Sequence, residues 1–291
     1  MKARRTEEEE FYEKQNDRSM EDPMSSSLIL HEKHAVVFGA GGSIGAAVAK
    51  EFAAEGAEVF LAGRTGSNVE DITKQIAAAG GRAHAAVLDA LDDAAVNEYI
   101  DCIVNEIGSI DIVFNAVGPL ATEYGNGKYA TDLKIEEFMV PLETVVKSQF
   151  ITARAAARHM VKQHSGAIIF LTGSPARGHV EGTTAIGTAF GAIESLSENL
   201  AVEVGPAGVR VVCLRITANT DSRTIQQTMD ALASKMNVTK DQMISRIASL
   251  NFLKVPAVIS DTAKAALFLA SDRARMLTGT VVNSTAGAAL D

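Results

Sequence analysis

Seven residues near the start of the folded region, Gly39-Ala-Gly-Gly-Ser-Ile-Gly45, are the part of this chain best suited to chemistry. They follow the apolar run His34 to Phe38 and precede an alanine-rich amphipathic stretch, so they read as a strand, a glycine turn and a helix start. Gly39 permits the tight turn, Gly41 belongs to the same loop, and Gly45 lets the helix pack closely on the sheet. Backbone N–H groups at the helix start, on Ser43, Ile44 and Gly45, can hold a diphosphate, because the first turn of a helix has amides without intrahelical partners. The Ser43 hydroxyl is expected to cap that helix.

Such a turn needs a sheet behind it. Short runs with strand length and β-branched content occur at 35–38, 58–62, 83–88, 110–115, 167–172, 210–214 and 280–283, which gives about seven strands. Helical patterns lie between them at 44–54, 69–79, 94–107, 136–163 and 185–204. The alternation predicts an α/β fold, Rossmann-like and doubly wound, with a parallel sheet covered by helices on both faces. Crossovers should be right-handed.

The 291 residues, 47% of them hydrophobic and none of them tryptophan, suit one large core in a single domain over 34–291. A net charge of -9 offers no basic stripe, which argues against nucleic acid as a partner. Cys102 and Cys213 have no metal-like spacing and read as two reduced core thiols, as in a cytoplasmic protein; no metal is expected. The N-terminus lacks a signal-peptide succession, and no apolar run is long enough for a membrane span. Residues 1–33, with the acidic block Glu7 to Glu10, read as a flexible tail. Met24 is an alternative start, and a regulatory arm is the sharper alternative for this segment.

Several further motifs give the chain a resemblance to the short-chain dehydrogenase/reductase family from about His34 to Gly287. The glycine turn resembles that family's Thr-Gly-x-x-x-Gly-x-Gly signature, with Phe38 in place of the threonine and Ser43 in place of the middle glycine. Asp89, after Val87-Leu88, matches the acidic residue that contacts the adenine amino group. Asn115-Ala116-Val117-Gly118 resembles the segment that packs along the cofactor. Ala263 to Thr280 resembles the family's last helix and strand. The resemblance implies a nicotinamide dinucleotide cofactor. Gly63 stands where NAD-preferring relatives carry an aspartate, and Arg64 beside it would attract a 2′-phosphate, so NADP(H) is expected over NAD(H).

The same resemblance places the family's catalytic groups on residues that cannot perform their roles. Ala192-Ile-Glu-Ser-Leu196 sets the register and puts Ile186 at the proton-donating tyrosine, Phe190 at the lysine, Gly173 at the serine and Val145 at the supporting asparagine. No tyrosine or lysine lies between Lys162 and Lys235. Ile216-Thr217 replaces a Pro-Gly, and Thr285-Ala286 takes part of a final Asp-Gly-Gly. The catalytic residues are therefore unassigned. Thr172, Ser174, Tyr124, Tyr129 and His179 are the polar groups that could stand in.

Residues 219–252 read as a substrate lid of two amphipathic helices, with Ile225, Met229, Leu232, Met236, Met243, Ile247 and Leu250 on their apolar faces. The alanine-rich helices at 136–163 and 185–204 resemble the paired helices through which relatives form homodimers and homotetramers. Two functions remain in view. One is an atypical NADP(H)-dependent oxidoreductase acting on a small carbonyl or enone substrate, with proton donation reassigned. The other is a non-catalytic nucleotide-binding relative, a cofactor sensor or oligomeric partner. A polar floor of Thr172, Ser174 and His179 would favour the enzyme; closure by Phe190 and Ile186 would favour the binder.

Overall fold

Seven parallel strands in the order β3-β2-β1-β4-β5-β6-β7 form the centre of the protein, as seen in a computed structural model that describes residues 28–178, 180–227, 229 and 238–291. The strands are β1 (His34–Phe38), β2 (Glu58–Gly63), β3 (Arg82–Val87), β4 (Ile112–Asn115), β5 (Gly166–Gly173), β6 (Val209–Ile216) and β7 (Thr280–Ser284). Helices α1 (Ser43–Ala54), α2 (Gly66–Ala78), α3 (Asp93–Ile107), α4 (Ile135–Pro141), α5 (Lys147–Gln163), α6 (Thr184–Val204), α7 (Lys240–Ser249) and α8 (Ile259–Ala270) surround them. This is the expected Rossmann-like α/β fold.

Side chains alternate along each strand, so the sheet feeds two cores. Val36, Phe38, Val113, Ile168 and Phe170 meet α3, α5 and α6 on one face. Ala35, Val37, Ile112, Phe114 and Ile169 meet α1, α2 and α8 on the other. Near-continuous apolar strands follow from this burial on both sides. The parallel register of β1 with both β2 and β4 leaves Phe38 level with Ala62 and Asn115, so the loops after three strands open at one edge. In an open parallel sheet that edge is where ligands bind.

Three expectations are corrected and one is refined. The helical pattern at 136–163 is found as continuous helical backbone over 135–163, in which a π-helical turn at Leu142–Val146 joins α4 to α5. Pro141, which has no N–H for the α-helical ladder, directly precedes that turn. Cys213 is buried but Cys102 is exposed. The buried face of α3 is built from Val96, Ile100 and Ile103, and Cys102 lies off that stripe. Residues 28–33 pack onto the domain: Leu30 is fully buried, its amide donates to Glu55 O at 2.9 Å, and Lys33 O accepts from the Glu58 amide at 2.9 Å. In the expected lid, Met229 and Met243 are buried, whereas Leu250 is 68% exposed. Leu232 and Met236 lie outside the described residues, as does most of the tail. Among the described residues, no helix is long and apolar enough to cross a membrane.

Candidate active site

The glycine turn is held against the loop after β4. Gly39 has φ +72°, and a Cβ there would lie 2.8 Å from Ala116 C and 2.9 Å from Val117 N, so a side chain is excluded by conformation and by space. A Cβ on Gly45 would overlap the Gly39 carbonyl, which explains the close start of α1. The Ala116 amide donates to Phe38 O at 2.9 Å and extends the β1–β4 register by one step.

Helix α1 begins without a side-chain cap. Its N-cap is Gly42, in an extended conformation, and Ser43 is already the first helical residue. The expected capping role of Ser43 is therefore corrected: its Oγ instead accepts from the Arg223 amide at 3.1 Å. The amides of Ser43, Ile44 and Gly45 precede the first i→i−4 bond, which joins Ala46 N to Gly42 O. Uncapped N–H groups beside an open glycine loop fit a diphosphate. Gly118 has open space where a Cβ would project, so the loop after β4 leaves room along the same edge.

The other expected cofactor residues converge on this edge, with one difference in role. A Cβ on Gly63 would lie 3.6 Å from Gly41 N, which brings the end of β2 beside the turn. Arg64 follows, exposed and without an ion pair among the described residues. The Leu88 amide donates to Gly63 O at 3.1 Å and sets the exposed Asp89 beside them, two residues past the end of β3. Asn115, by contrast, is buried and its side chain is already used. Its Nδ2 donates to Thr152 Oγ1 at 2.9 Å, and its Oδ1 accepts from the Val117 amide at 2.8 Å. It shapes the loop that carries Ala116 and Gly118.

The floor at the end of β5 is apolar. The Phe190 ring lies on Gly173, where a Cβ would be 2.7 Å from Cε2. Ile186, one turn earlier on α6, is 7% exposed, and Val145 in the π-helical turn is 3% exposed. Thr172 faces inward: its Oγ1 lies 3.3 Å from Cys213 Sγ and donates to Glu194 Oε1 at 3.4 Å. Burial pushes the Cys213 thiol up to about 12. Ser174 opens the turn after β5 and has no side-chain partner among the described residues. His179 lies outside the described residues.

Beneath this floor is an ion cluster. Glu194, one turn after Phe190, accepts from Arg215 Nε at 2.7 Å and Nη2 at 3.0 Å, and from Arg177 Nε at 3.2 Å. Arg215 Nη1 also pairs with Asp291. Burial works against the Arg215 charge, but hydrogen bonds to Glu194 and Asp291 outweigh it and hold the guanidinium above its ordinary value. Arg215 in an apolar strand and Glu194 in an alanine-rich helix were the available signals, since charges in buried elements require partners. Gln149 was also missed. Its side-chain amide brackets Leu171, with Nε2 donating to the carbonyl at 2.9 Å and Oε1 accepting from the N–H at 3.1 Å. The pairing of β4 with β5 stops at Ile169, and Gln149 supplies the missing strand neighbour.

The loop after β4 and the loop after β5 are joined. The Gly127 amide donates to Gly182 O at 2.8 Å, and a Cβ on Gly182 would lie 2.5 Å from Gly127 Cα. Tyr129 adds a hydrogen bond to Glu181 at 3.3 Å.

Residues 39–289 match the family described as Enoyl-(Acyl carrier protein) reductase. The chain belongs to the short-chain dehydrogenase/reductase family. It is 29% identical over 266 residues to the short-chain reductase protein NovJ of Streptomyces niveus, covering 91% of this chain and 97% of that one. It is 27% identical to the 7alpha-hydroxysteroid dehydrogenase of Escherichia coli (strain K12), over 90% of this chain and 96% of the relative. The structure of sorbitol-6-phosphate 2-dehydrogenase SrlD from Erwinia amylovora has a TM-score of 0.81 at 23% identity, over 88% of this chain and all of that one. Membership makes this chain one of a family of NAD(P)-dependent oxidoreductases acting on small molecules.

Proposed function

We propose that this chain is an NADP(H)-dependent oxidoreductase that reduces a small carbonyl or enone compound, with its proton donor outside the family's tyrosine–lysine pair. The observation that carries the reading is the uncapped start of α1 beside Gly41 and Gly63, with Arg64 adjacent. First-turn amides suit the diphosphate, Arg64 suits a 2′-phosphate, Asp89 beside it suits the adenine amino group, and Ala116 and Gly118 line the route toward the nicotinamide end. The cofactor would supply the hydride, and this chain's residues would bind and orient it. A homodimer or homotetramer in the cytoplasm belongs to the same reading, as does a lid formed by residues near 219–252.

Titration of the full chain with NADPH and NADH tests it by calorimetric heat and nicotinamide fluorescence. NADPH is expected to bind more tightly, and Arg64→Ala to remove about one to two decades of that affinity, the effect of losing a charge-assisted hydrogen bond of about 1.5–3 kcal/mol. Equal binding of both nucleotides, unaffected by Arg64→Ala, would remove the NADP(H) preference.

A second reading is supported by Phe190 on Gly173 and by the buried Ile186: a nucleotide-binding relative without catalysis, acting as a sensor or partner. Nucleotide binding without turnover of any carbonyl or enone would favour it.

A further inference from the structure

A hydride acceptor that becomes an alcohol needs a proton as well, and the floor formed by Ile186, Phe190, Gly173 and Val145 has none to give. Of the four tyrosines in the chain, Tyr12 lies outside the described residues. Tyr99 on α3 stands edge-on to Phe38, ring centroids 6.5 Å apart, with its hydroxyl buried and unpaired inside the helix layer. Tyr129 is 61% exposed and its hydroxyl is engaged by Glu181. Tyr124 differs from all of these. It is half-buried in the loop that leaves β4 at the cofactor edge, and its hydroxyl has no hydrogen-bond partner among the described residues. Its ring packs against the core cluster that contains Val145 and Ile186, and Phe190 packs against the same cluster. Just after it, Gly125 abuts Leu133 and Glu137, and Gly127 is bonded to Gly182, so the backbone that follows Tyr124 is held in place.

We propose that Tyr124 is the proton donor of this site, presented from the loop after β4. The proposal rests on the oxidoreductase reading above. In the step, hydride from the dihydronicotinamide adds to the carbonyl carbon and the C=O π pair moves to oxygen. The Tyr124 O–H bond breaks as the alcohol O–H bond forms, and solvent returns a proton to the phenolate. Overall, carbonyl, reduced cofactor and one proton give alcohol and oxidised cofactor. Ser174, free at the start of the turn after β5, can orient the carbonyl but has no base beside it in the described structure.

Burial raises the Tyr124 phenol above its ordinary value. The phenol therefore stays protonated through the neutral range, ready to donate.

The chain has no tryptophan, which leaves tyrosinate absorbance a clean signal. NADP+ would be titrated at alkaline pH into the full-length wild type, Tyr124→Phe and Tyr129→Phe, with calorimetric heat recorded alongside. The cationic ring of NADP+ beside Tyr124 should favour its phenolate. The expected result is an NADP+-dependent rise in tyrosinate absorbance in wild type and Tyr129→Phe, absent in Tyr124→Phe, with binding heat in all three. NADPH, whose ring is neutral, should give no rise. With small diketones and enones as probes, Tyr124→Phe should also lose about 10²–10⁴-fold in turnover at unchanged NADPH affinity. Binding heat with an absorbance rise that survives in Tyr124→Phe, or with none in wild type, overturns the assignment and leaves the cofactor reading intact. No heat from either nucleotide in any variant overturns the cofactor reading and the assignment with it. Absorbance decides the outcome even where no probe turns over.

Discussion

The ring of Phe190 lies directly on the α-carbon of Gly173, its Cε2 2.7 Å from the point a Cβ would occupy. One residue therefore dictates the other: with Phe190 in place, position 173 cannot carry a serine without displacing the ring. The two residues are a single packing solution shared by α6 and β5.

Gly173→Ser should destabilise the fold by about 1–3 kcal/mol, the usual cost of overpacking a filled site. Phe190→Ala should relieve much of that, so the double variant falls short of the summed losses by more than about 0.5 kcal/mol. Denaturant unfolding of the four proteins measures this coupling. Additive losses would mean that the ring and the glycine do not constrain one another.

The Glu194–Arg215 pair gives a larger effect. Glu194→Ala leaves Arg215 with the single remaining partner Asp291 and should cost about 3–5 kcal/mol, as expected for breaking a buried ion pair. Replacing both residues with apolar ones, Glu194→Leu with Arg215→Met, should recover most of the loss. Midpoints of chemical unfolding test both, and a double variant worse than Glu194→Ala would refute the packing account.

Gln149→Leu should leave the N–H and C=O of Leu171 unpaired at the inner end of β5, costing about 1–3 kcal/mol for each group that no water reaches. Its signature is local. Hydrogen exchange at Leu171 should accelerate beyond the change in global stability, whereas exchange at Ile168, paired within the sheet, should follow the global change.

Cys213 sets an alkaline dependence. Burial raises its folded thiol from 9.0 to about 12, so its contribution is fully present below pH 9 and is lost as pH rises toward about 12. The unfolded chain sheds the proton first, and stability falls with pH across that window. Tyr99 and Tyr124, also raised by burial, act in the same direction at higher pH. Cys213→Ala should make the slope of unfolding free energy between pH 9 and 10.5 shallower by up to about 1.4 kcal/mol per pH unit, the slope of one proton. An unchanged slope would show that the thiol is not sealed.

Strand positions were legible because a parallel sheet buried on both faces writes apolar runs into the chain, as at Val209–Ile216, and the glycine turn was legible because only glycine satisfies Gly39 and Gly45. The π-helical turn after Pro141 left no mark in the sequence because helical backbone continues through it on both sides. Cys102 was misplaced because cysteine type suggests burial, while helix phase decides it. Asn115 lies in the segment expected along the cofactor, and its side-chain bonds to Thr152 and Val117 span 37 and 2 residues; the longer one has no local mark. The Arg215–Glu194 pair carried a signal in each element but no sign of which partner it would find.

The bond between Gly127 and Gly182 joins loops that leave different strands through main-chain atoms, and Tyr129 and Glu181 add a side-chain contact between the same loops. The close approach of the two glycines leaves no room for a side chain at Gly182. A loop transplanted from a relative to change what the cleft accepts would have to travel with the loop it touches, so the two segments form one interchangeable cassette rather than two independent positions for redesign.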